Sequence, residues 1–154
     1  MIKQTDPKDP GVSASLYKLF QASYAIEAAL LKAVNFPPLS RTQDGFYASE
    51  TDFYVFWKEE EMAGAVELYL TEEHLHIQSL VVDPRFFRQG IGRQLMEFVL
   101  EHIEAPLYMV ETGKDNGPAS MLYENMGFKL VADWMTDVGI QKVRFELPGS
   151  RKPS

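Results

Sequence analysis

The chain has 154 residues and a formal net charge of −7 at pH 7, from 15 Lys and Arg against 22 Asp and Glu. With 45% hydrophobic residues it can bury one sizeable core, and because it has no cysteine, disulfides, thiolate metal ligands and a cysteine nucleophile are excluded. The acidic balance disfavours nucleic acid as a partner, since phosphate backbones select basic surfaces, and it fits an amine ligand better.

The first fifty residues predict a short strand, a helix and a loop. Residues 1–5 have a weak strand pattern, and Asp9 followed by Pro10 is typical of a helix start. Apolar side chains then recur at helical spacing, in two groups that allow a break near Tyr24: Leu16, Leu19, Phe20, Leu30, Leu31 and Val34. The prolines of "NFPPLSRTQDG" predict a loop, because each removes a donor and holds its predecessor extended.

The middle of the chain predicts an antiparallel meander of three strands. The segment "TDFYVFWKEEEMAGAVELYL" contains two runs rich in β-branched and aromatic residues, which meet at an acidic turn from Glu59 to Glu61. The segment "HLHIQSLVV" is the third run.

The second half predicts a β-α-β unit, another helix and a hairpin. An apolar helical stripe follows the third strand and consists of Ile91, Leu95, Phe98, Val99 and Ile103. "PLYMVET" is a buried strand, and the next helix runs from about Pro118 to Met126 with Gly127 as its C-cap. "FKLVADW" and "IQKVRFEL" form the hairpin. Antiparallel strands beside a right-handed crossover predict a mixed α/β sheet.

One domain is expected over residues 1–148, with a flexible tail over residues 149–154, where the Pro-containing end has no packing pattern. No stretch is apolar and long enough to span a membrane, and the polar N-terminus lacks the apolar core of a secretion signal. The expected location is therefore the cytoplasm, with no membrane partner.

The stretch "VVDPRFFRQGIGRQL" turns abruptly from strand to helix. A helix N-terminus carries free amide donors and a partial positive charge, so it attracts anions. Gly90 and Gly92 let the backbone approach a diphosphate closely, and Arg88 and Arg93 add cationic side chains. We interpret this corner as a pyrophosphate cradle, with a plain tight turn as the alternative.

Two other nucleotide-binding loops do not fit the corner. A Walker-type loop requires Gly-Lys-Ser/Thr, whereas Gly92 is followed by Arg93 and Gln94. A dinucleotide fingerprint requires a third glycine, and Leu95 stands at that position.

These residues resemble the GNAT superfamily of acetyl-coenzyme A-dependent N-acetyltransferases. The family signature Arg/Gln-x-x-Gly-x-Gly/Ala also follows a strand and opens a helix, although here Phe87 occupies the Arg/Gln position and Arg88 follows it. "NGPASMLYENMGF", residues 116–128, resembles a later family motif. The resemblance covers about residues 53–147 and implies the GNAT fold, an α/β fold with a mixed, mostly antiparallel central sheet of about six to seven strands flanked by about four helices.

The resemblance also implies acetyl-CoA as cosubstrate, with no metal. Main-chain groups around Leu80 and Val82 would pair with the pantetheine arm where neighbouring strands splay apart, and Asn116 would bind the same arm. The full implied set of coenzyme-binding residues is Leu80, Val81, Val82, Arg88, Gln89, Gly90, Ile91, Gly92, Arg93, Asn116, Ala119 and Tyr123.

The implied reaction is direct attack of a primary amine, on a small molecule or a peptide, on the thioester in a ternary complex. An alkylamine with a pKa of about 10.4 is mostly protonated at neutral pH and needs a base, whereas the departing thiolate benefits from an acid. The resemblance places the Tyr123 hydroxyl beside the coenzyme sulfur as that acid. Its helical stripe would also fit core packing alone.

The base is expected at His76, by counting back from Val82 to a position where some family members carry glutamate. Imidazole titrates near pH 6.5, which suits a general base. Glu67 on a neighbouring strand is the competitor, and an ordinary strand residue is the alternative reading of His76. His74 shares a face with His76, but a zinc site needs further ligands, so no metal is expected.

The acceptor cleft is expected between the first helix, the proline-containing loop and the final hairpin. Its predicted side chains are Phe36, Arg41, Phe46 and Trp134, and Arg41 would favour a substrate that carries a carboxylate. Two functions stay open: an N-acetyltransferase, and a non-catalytic acyl-CoA-binding sensor or interaction module. The family resemblance also allows a homodimer.

Overall fold

A single sheet organises the protein, for which a computed structural model describes residues 1–150. Its seven strands are β1 (Ile2–Thr5), β2 (Asp52–Lys58), β3 (Glu61–Leu70), β4 (Leu75–Val82), β5 (Leu107–Gly113), β6 (Lys129–Met135) and β7 (Gln141–Pro148). The four α-helices within these residues are α1 (Pro10–Leu31), α2 (Gln43–Tyr47), α3 (Ile91–His102) and α4 (Gly117–Asn125). Short 3-10 helices cover Pro37–Ser40 and Pro84–Phe86.

The strands lie in the order β1-β2-β3-β4-β5-β7-β6. Every neighbouring pair is antiparallel except β4 and β5, which are parallel and joined through α3. The predicted α/β class, the mostly antiparallel mixed sheet and the numbers of strands and helices are confirmed.

The first helix is continuous, but it ends at Leu31, before Val34, the last residue of the predicted apolar pattern. Asp9 caps it by accepting from the Gly11 amide at 2.9 Å, and its C-cap residue, Lys32, adopts a left-handed φ of 52°. The allowed break near Tyr24 is absent, because the ring of this residue packs edge-on against Phe20 at 5.6 Å and holds that turn to the core.

The proline-containing segment is also more ordered than predicted. Where a loop was expected, α2 forms because the Thr42 hydroxyl accepts from the Gly45 amide at 3.1 Å. Residues 151–154 of the expected flexible tail lie outside the described residues.

Two apolar clusters lie on opposite faces of the sheet. One contains α3 and α4 with Val66, Ile77 and Phe145, and the other contains α1 and α2 with Phe53 and Val81. Gly64 brings α3 close to β3, since a Cβ there would lie 2.8 Å from Cγ2 of Ile91. This contact fixes the start of α3 just beyond the end of β4.

Candidate active site

The parallel strands β4 and β5 separate partway along the sheet. Their pairing ends at Ile77 opposite Val110, whereas β4 continues to Val82 and remains paired with β3. Beyond Ile77, therefore, one edge of β4 has no neighbouring strand. The predicted splay is present.

The main chain at the end of β4 faces this gap. The Asp83 amide donates to the Ala63 carbonyl at 2.9 Å, and bonded positions alternate along an antiparallel ladder. The amide and carbonyl groups of Leu80 and Val82 therefore point away from β3, towards the side that β5 has left. Val81, between them, is buried under α1.

A cavity of about 510 Å³ opens at the gap. Its walls come from α1, the 3-10 segment at Pro37, the separated parts of β4 and β5, α4, and the loop between β6 and β7. Because α1 and α4 cover opposite faces, the cavity reaches both sides of the sheet. The predicted site residues on its wall are Phe36, Leu80, Asn116, Ala119 and Tyr123.

The strand-to-helix corner presents a row of unused amides. Within residues 1–150, none of the six backbone N–H groups from Arg88 to Arg93 donates to a protein acceptor, and the first such bond is from Gln94 to the Gly90 carbonyl at 3.0 Å. Arg88 and Gly90 have left-handed φ values of 63° and 73°, which turn the chain sharply into α3. A Cβ at Gly92 would meet Leu122, Val82 and Leu80 at 3.7–3.9 Å, which is ordinary contact. An anion can dock against these donors.

Unlike the backbone amides of the corner, two of its side chains already have protein partners. Gln89 accepts from Lys58, and Arg93 donates to Glu97 one turn along the helix at 2.7 Å. Arg88 is exposed and makes no ion pair within residues 1–150. Phe87, at the family's usual Arg/Gln position, is 43% exposed. Arg88 is therefore the cation of the corner that is available to an external anion.

Tyr123 is nearly fully buried yet lies on the cavity wall. Burial, with smaller effects from Glu27 and Tyr24, raises its pKa, so the phenol remains protonated. Its ring packs on Phe128 and Phe145, and its hydroxyl makes no hydrogen bond in the part of the chain that the structure describes. The ring of Tyr123 thus packs in the core, while its hydroxyl remains available as a proton donor.

The oxygen and the nitrogen of the Asn116 side-chain amide have different hydrogen-bonding states. Its Oδ1 accepts from the Ala119 amide at 3.3 Å and caps α4. Nδ2 has no partner within residues 1–150 and remains able to donate into the cavity.

A buried ion pair was not predicted from the sequence. Glu67, whose side chain is 2% exposed, accepts from both terminal nitrogens of Arg41 at 2.7 and 2.9 Å. It also accepts from the Thr51 hydroxyl at 2.6 Å and from the Ser79 hydroxyl at 3.2 Å. The single Ser79 proton is thereby used, so the Tyr24 hydroxyl, 2.8 Å away, donates to Ser79. This network connects the cavity wall to the interior.

The structure corrects the expected positions of several acceptor-cleft residues. Arg41 does not line the cavity, because its charge is neutralised by Glu67 and its guanidinium stacks on Phe46 at 4.0 Å. Phe46 is 1% exposed and belongs to the core beneath α1. Trp134 is on the outer strand β6, beside Arg144 and away from the cavity.

His76 also lies outside the cavity lining. Counting back from Val82 assumed regular alternation, but a bulge between β3 and β4 shifts the register between Glu67 and Leu68. Ile77 consequently packs on the same face as Leu80, and His76 faces the other way. Burial lowers its pKa, partly offset by Glu111.

Three carboxylates on the cavity wall were not predicted from the sequence: Glu27, Glu111 and Asp137. Glu111 on β5 accepts from Arg144 at 2.8 Å and lies 3.8 Å from Lys142. Glu27 on α1, three residues beyond Tyr24, makes no hydrogen bond or ion pair within residues 1–150. The i, i+3 spacing of Tyr24 and Glu27 placed them on one helical face, which was the available signal.

The structure shows no metal centre and no spanning helix in the described region. Across residues 1–150, no group of three or more His, Asp or Glu side chains is placed to hold a metal ion. None of the helices there is long and apolar enough to cross a bilayer.

Comparison with known proteins identifies the family of the chain and the solved structures that share its fold. The sequence model described as "Acetyltransferase (GNAT) family" matches residues 14–128. The UPF0157 protein YqkA of Bacillus subtilis (strain 168) is 29% identical over 99% of this chain and 45% of its own length. The uncharacterized N-acetyltransferase YsnE of the same strain is 31% identical over 52% of this chain and 57% of its own. The chain thus spans about half the length of the curated relatives it matches.

Solved structures share the whole architecture. The ribosomal-protein-S18-alanine N-acetyltransferase from Escherichia coli superposes with a TM-score of 0.76 at 20% identity, over 98% of this chain and 96% of that one. YncA from Salmonella typhimurium, solved with its cofactor acetyl-CoA, gives a TM-score of 0.75 at 14% identity, over 100% and 96%. At these identities the similarity concerns the fold.

Proposed function

The chain belongs to the acetyltransferase (GNAT) family, and on that premise we propose that it transfers an acetyl group from acetyl-CoA to a primary amine. The acceptor is the amino group of a small molecule or a peptide. With no cysteine in the chain, transfer by direct attack within a ternary complex is the simplest scheme, and no acyl-enzyme is required.

The observation that carries this proposal is the run of six unpartnered amides from Arg88 to Arg93. Buried or structured backbone donors are normally satisfied, so a row of free donors at the start of α3 fits a diphosphate. Arg88 adds a cation at the same place. The free edge of β4 at Leu80 and Val82 and the Asn116 amide fit the extended, amide-containing arm of the coenzyme.

Acetyl-CoA supplies the activated acetyl group as a thioester. On this assignment Tyr123 keeps a proton at its hydroxyl oxygen and gives it to the departing sulfur. The proton that burial keeps on its hydroxyl and the absence of a competing protein acceptor for that hydroxyl within residues 1–150 support this role.

Acetyl transfer can be measured through the thiol that it releases. The enzyme itself gives no thiol background because it has no cysteine. The protein is mixed with acetyl-CoA and one of four amines: spermidine, tyramine, lysine or a short peptide with N-terminal alanine. Amine-dependent thiol release supports the proposal. Coenzyme binding by calorimetry without turnover on any amine would instead favour a sensor or interaction module.

A further inference from the structure

Glu27 is the carboxylate that stands free in the cavity. We infer that it takes the proton from the incoming ammonium group of the acceptor, an inference that rests on the proposed acetyl transfer. It assigns the base to α1, on the opposite face of the sheet from the acid Tyr123 on α4.

The position of Glu27 is fixed by its helix. Tyr24, one turn earlier, packs on Phe20 and Phe36 and donates to Ser79 of β4. This anchors the middle of α1 over the gap between β4 and β5, and both Tyr24 and Glu27 line the cavity there. Glu27 is also close enough to Tyr123 for its charge to help raise the pKa of that phenol. The proposed base Glu27 and the proposed acid Tyr123 therefore line the same cavity.

The other carboxylates near the gap are already engaged. Both oxygens of Glu67 accept from Arg41, and each accepts one hydroxyl as well. Glu111 is held by Arg144 and faces Lys142. Asp137, in the loop between β6 and β7, is exposed to solvent at the mouth. Glu27 alone combines partial burial with free acceptor oxygens among these residues.

The electrostatic surroundings of Glu27 suit a base. Burial raises its pKa, and Lys142 on β7 lowers it in part. The other ionisable groups on the cavity wall are Tyr24 of its own helix, Tyr123 of α4, Glu111 of β5 and Asp137 of the β6–β7 loop. A poorly solvated carboxylate attracts an ammonium group and binds its proton more strongly than an exposed one does.

The proton balance can be followed at the acceptor nitrogen. This nitrogen enters as an ammonium with three protons and leaves as an amide with one. One N–H bond breaks and an O–H bond forms on Glu27, which leaves the nitrogen lone pair free to form the C–N bond. The C–S bond of the thioester breaks, and its electron pair leaves on the sulfur, which takes the proton of Tyr123. The second proton restores the one that Tyr123 has given to the departing sulfur, and Glu27 later releases its proton to solvent.

The test is Glu27→Gln, with Glu101→Gln on the exposed side of α3 as the control for charge. With the amine of the panel that the wild type acetylates fastest, Glu27→Gln should lower kcat/KM by about 100-fold and remove the acidic limb of its pH profile. Calorimetric affinity for acetyl-CoA should not change, and Glu101→Gln should behave as wild type. A weakly basic acceptor, trifluoroethylamine, should show a smaller defect because it enters as the free amine and loses only the proton that follows attack.

Stability provides a readout independent of turnover. Because folding raises the pKa of Glu27, its ionisation costs stability as pH rises above the ordinary value of 4.5. Glu27→Gln should therefore unfold at higher urea than wild type at pH 7, with the difference vanishing in acid. A destabilised variant, or wild-type kcat/KM with an intact acidic limb, overturns the inference and leaves the transferase proposal standing. A wild type that acetylates none of the amines overturns both.

Discussion

Arg41→Met tests whether the buried ion pair with Glu67 holds the protein together. The substitution keeps an unbranched apolar stem against Phe46 and removes the charge. Glu67 would then remain in the interior without a cation. We expect the free energy of unfolding to fall substantially, even though the apolar contact with Phe46 is largely kept.

The magnitude follows from the burial of the two partners. Removing one partner of a buried ion pair costs about 3–5 kcal/mol, because the remaining charge is uncompensated. The side chain of Glu67 is 2% exposed, which favours the upper end, but that of Arg41 is 25% exposed, so water can enter where the guanidinium was. Thr51 and Ser79 also continue to donate to the carboxylate. We expect a loss of about 3 kcal/mol, at the lower end of the range.

The assay is urea unfolding at pH 7 with linear extrapolation. Arg85→Met is the matched control, because Arg85 pairs with Glu61 at 3.3 Å and with Asp83 at 3.0 Å while its side chain is 62% exposed. Exposed pairs contribute about 0–1 kcal/mol. Adding Glu67→Gln to Arg41→Met should recover part of the loss, since the buried charge is then gone. Equal, small effects of Arg41→Met and Arg85→Met would refute the reasoning.

Three further substitutions test the catalytic role of Tyr123, the backbone conformation at Gly90 and the helix cap at Asn116. Tyr123→Phe should lower kcat by about 100-fold without weakening acetyl-CoA binding or stability, and an unchanged kcat would remove Tyr123 from the mechanism. Gly90→Ala forces a side chain into a φ of 73° and should cost about 1–2 kcal/mol in urea unfolding as well as coenzyme affinity; Gly117→Ala, which meets nothing within 4 Å, is its control and should do neither. Asn116→Ala should cost about 1 kcal/mol through the lost cap and weaken coenzyme binding measured by calorimetry; unchanged binding would leave Asn116 with the capping role alone.

The parts of the fold that sequence predicted are those encoded locally. The three-strand meander shows in runs rich in β-branched and aromatic residues, and the corner at Gly90 shows in its glycines. By contrast, the bond from Arg41 to Glu67 joins residues that are 26 positions apart, and no local pattern identifies such a partner. A single bulge was enough to turn His76 away from the expected face, because a register shift of one residue reverses side-chain direction. Glu27 was overlooked because a carboxylate on an amphipathic helix usually faces solvent.

The separation of β4 from β5 also bears on how the protein avoids aggregation. An unpaired strand edge normally invites pairing with another chain and hence aggregation. Here the unpaired stretch lies in the middle of the sheet, between α1 on one side and α4 on the other. The fold thus keeps open hydrogen-bonding capacity in its interior without offering it to other copies of itself.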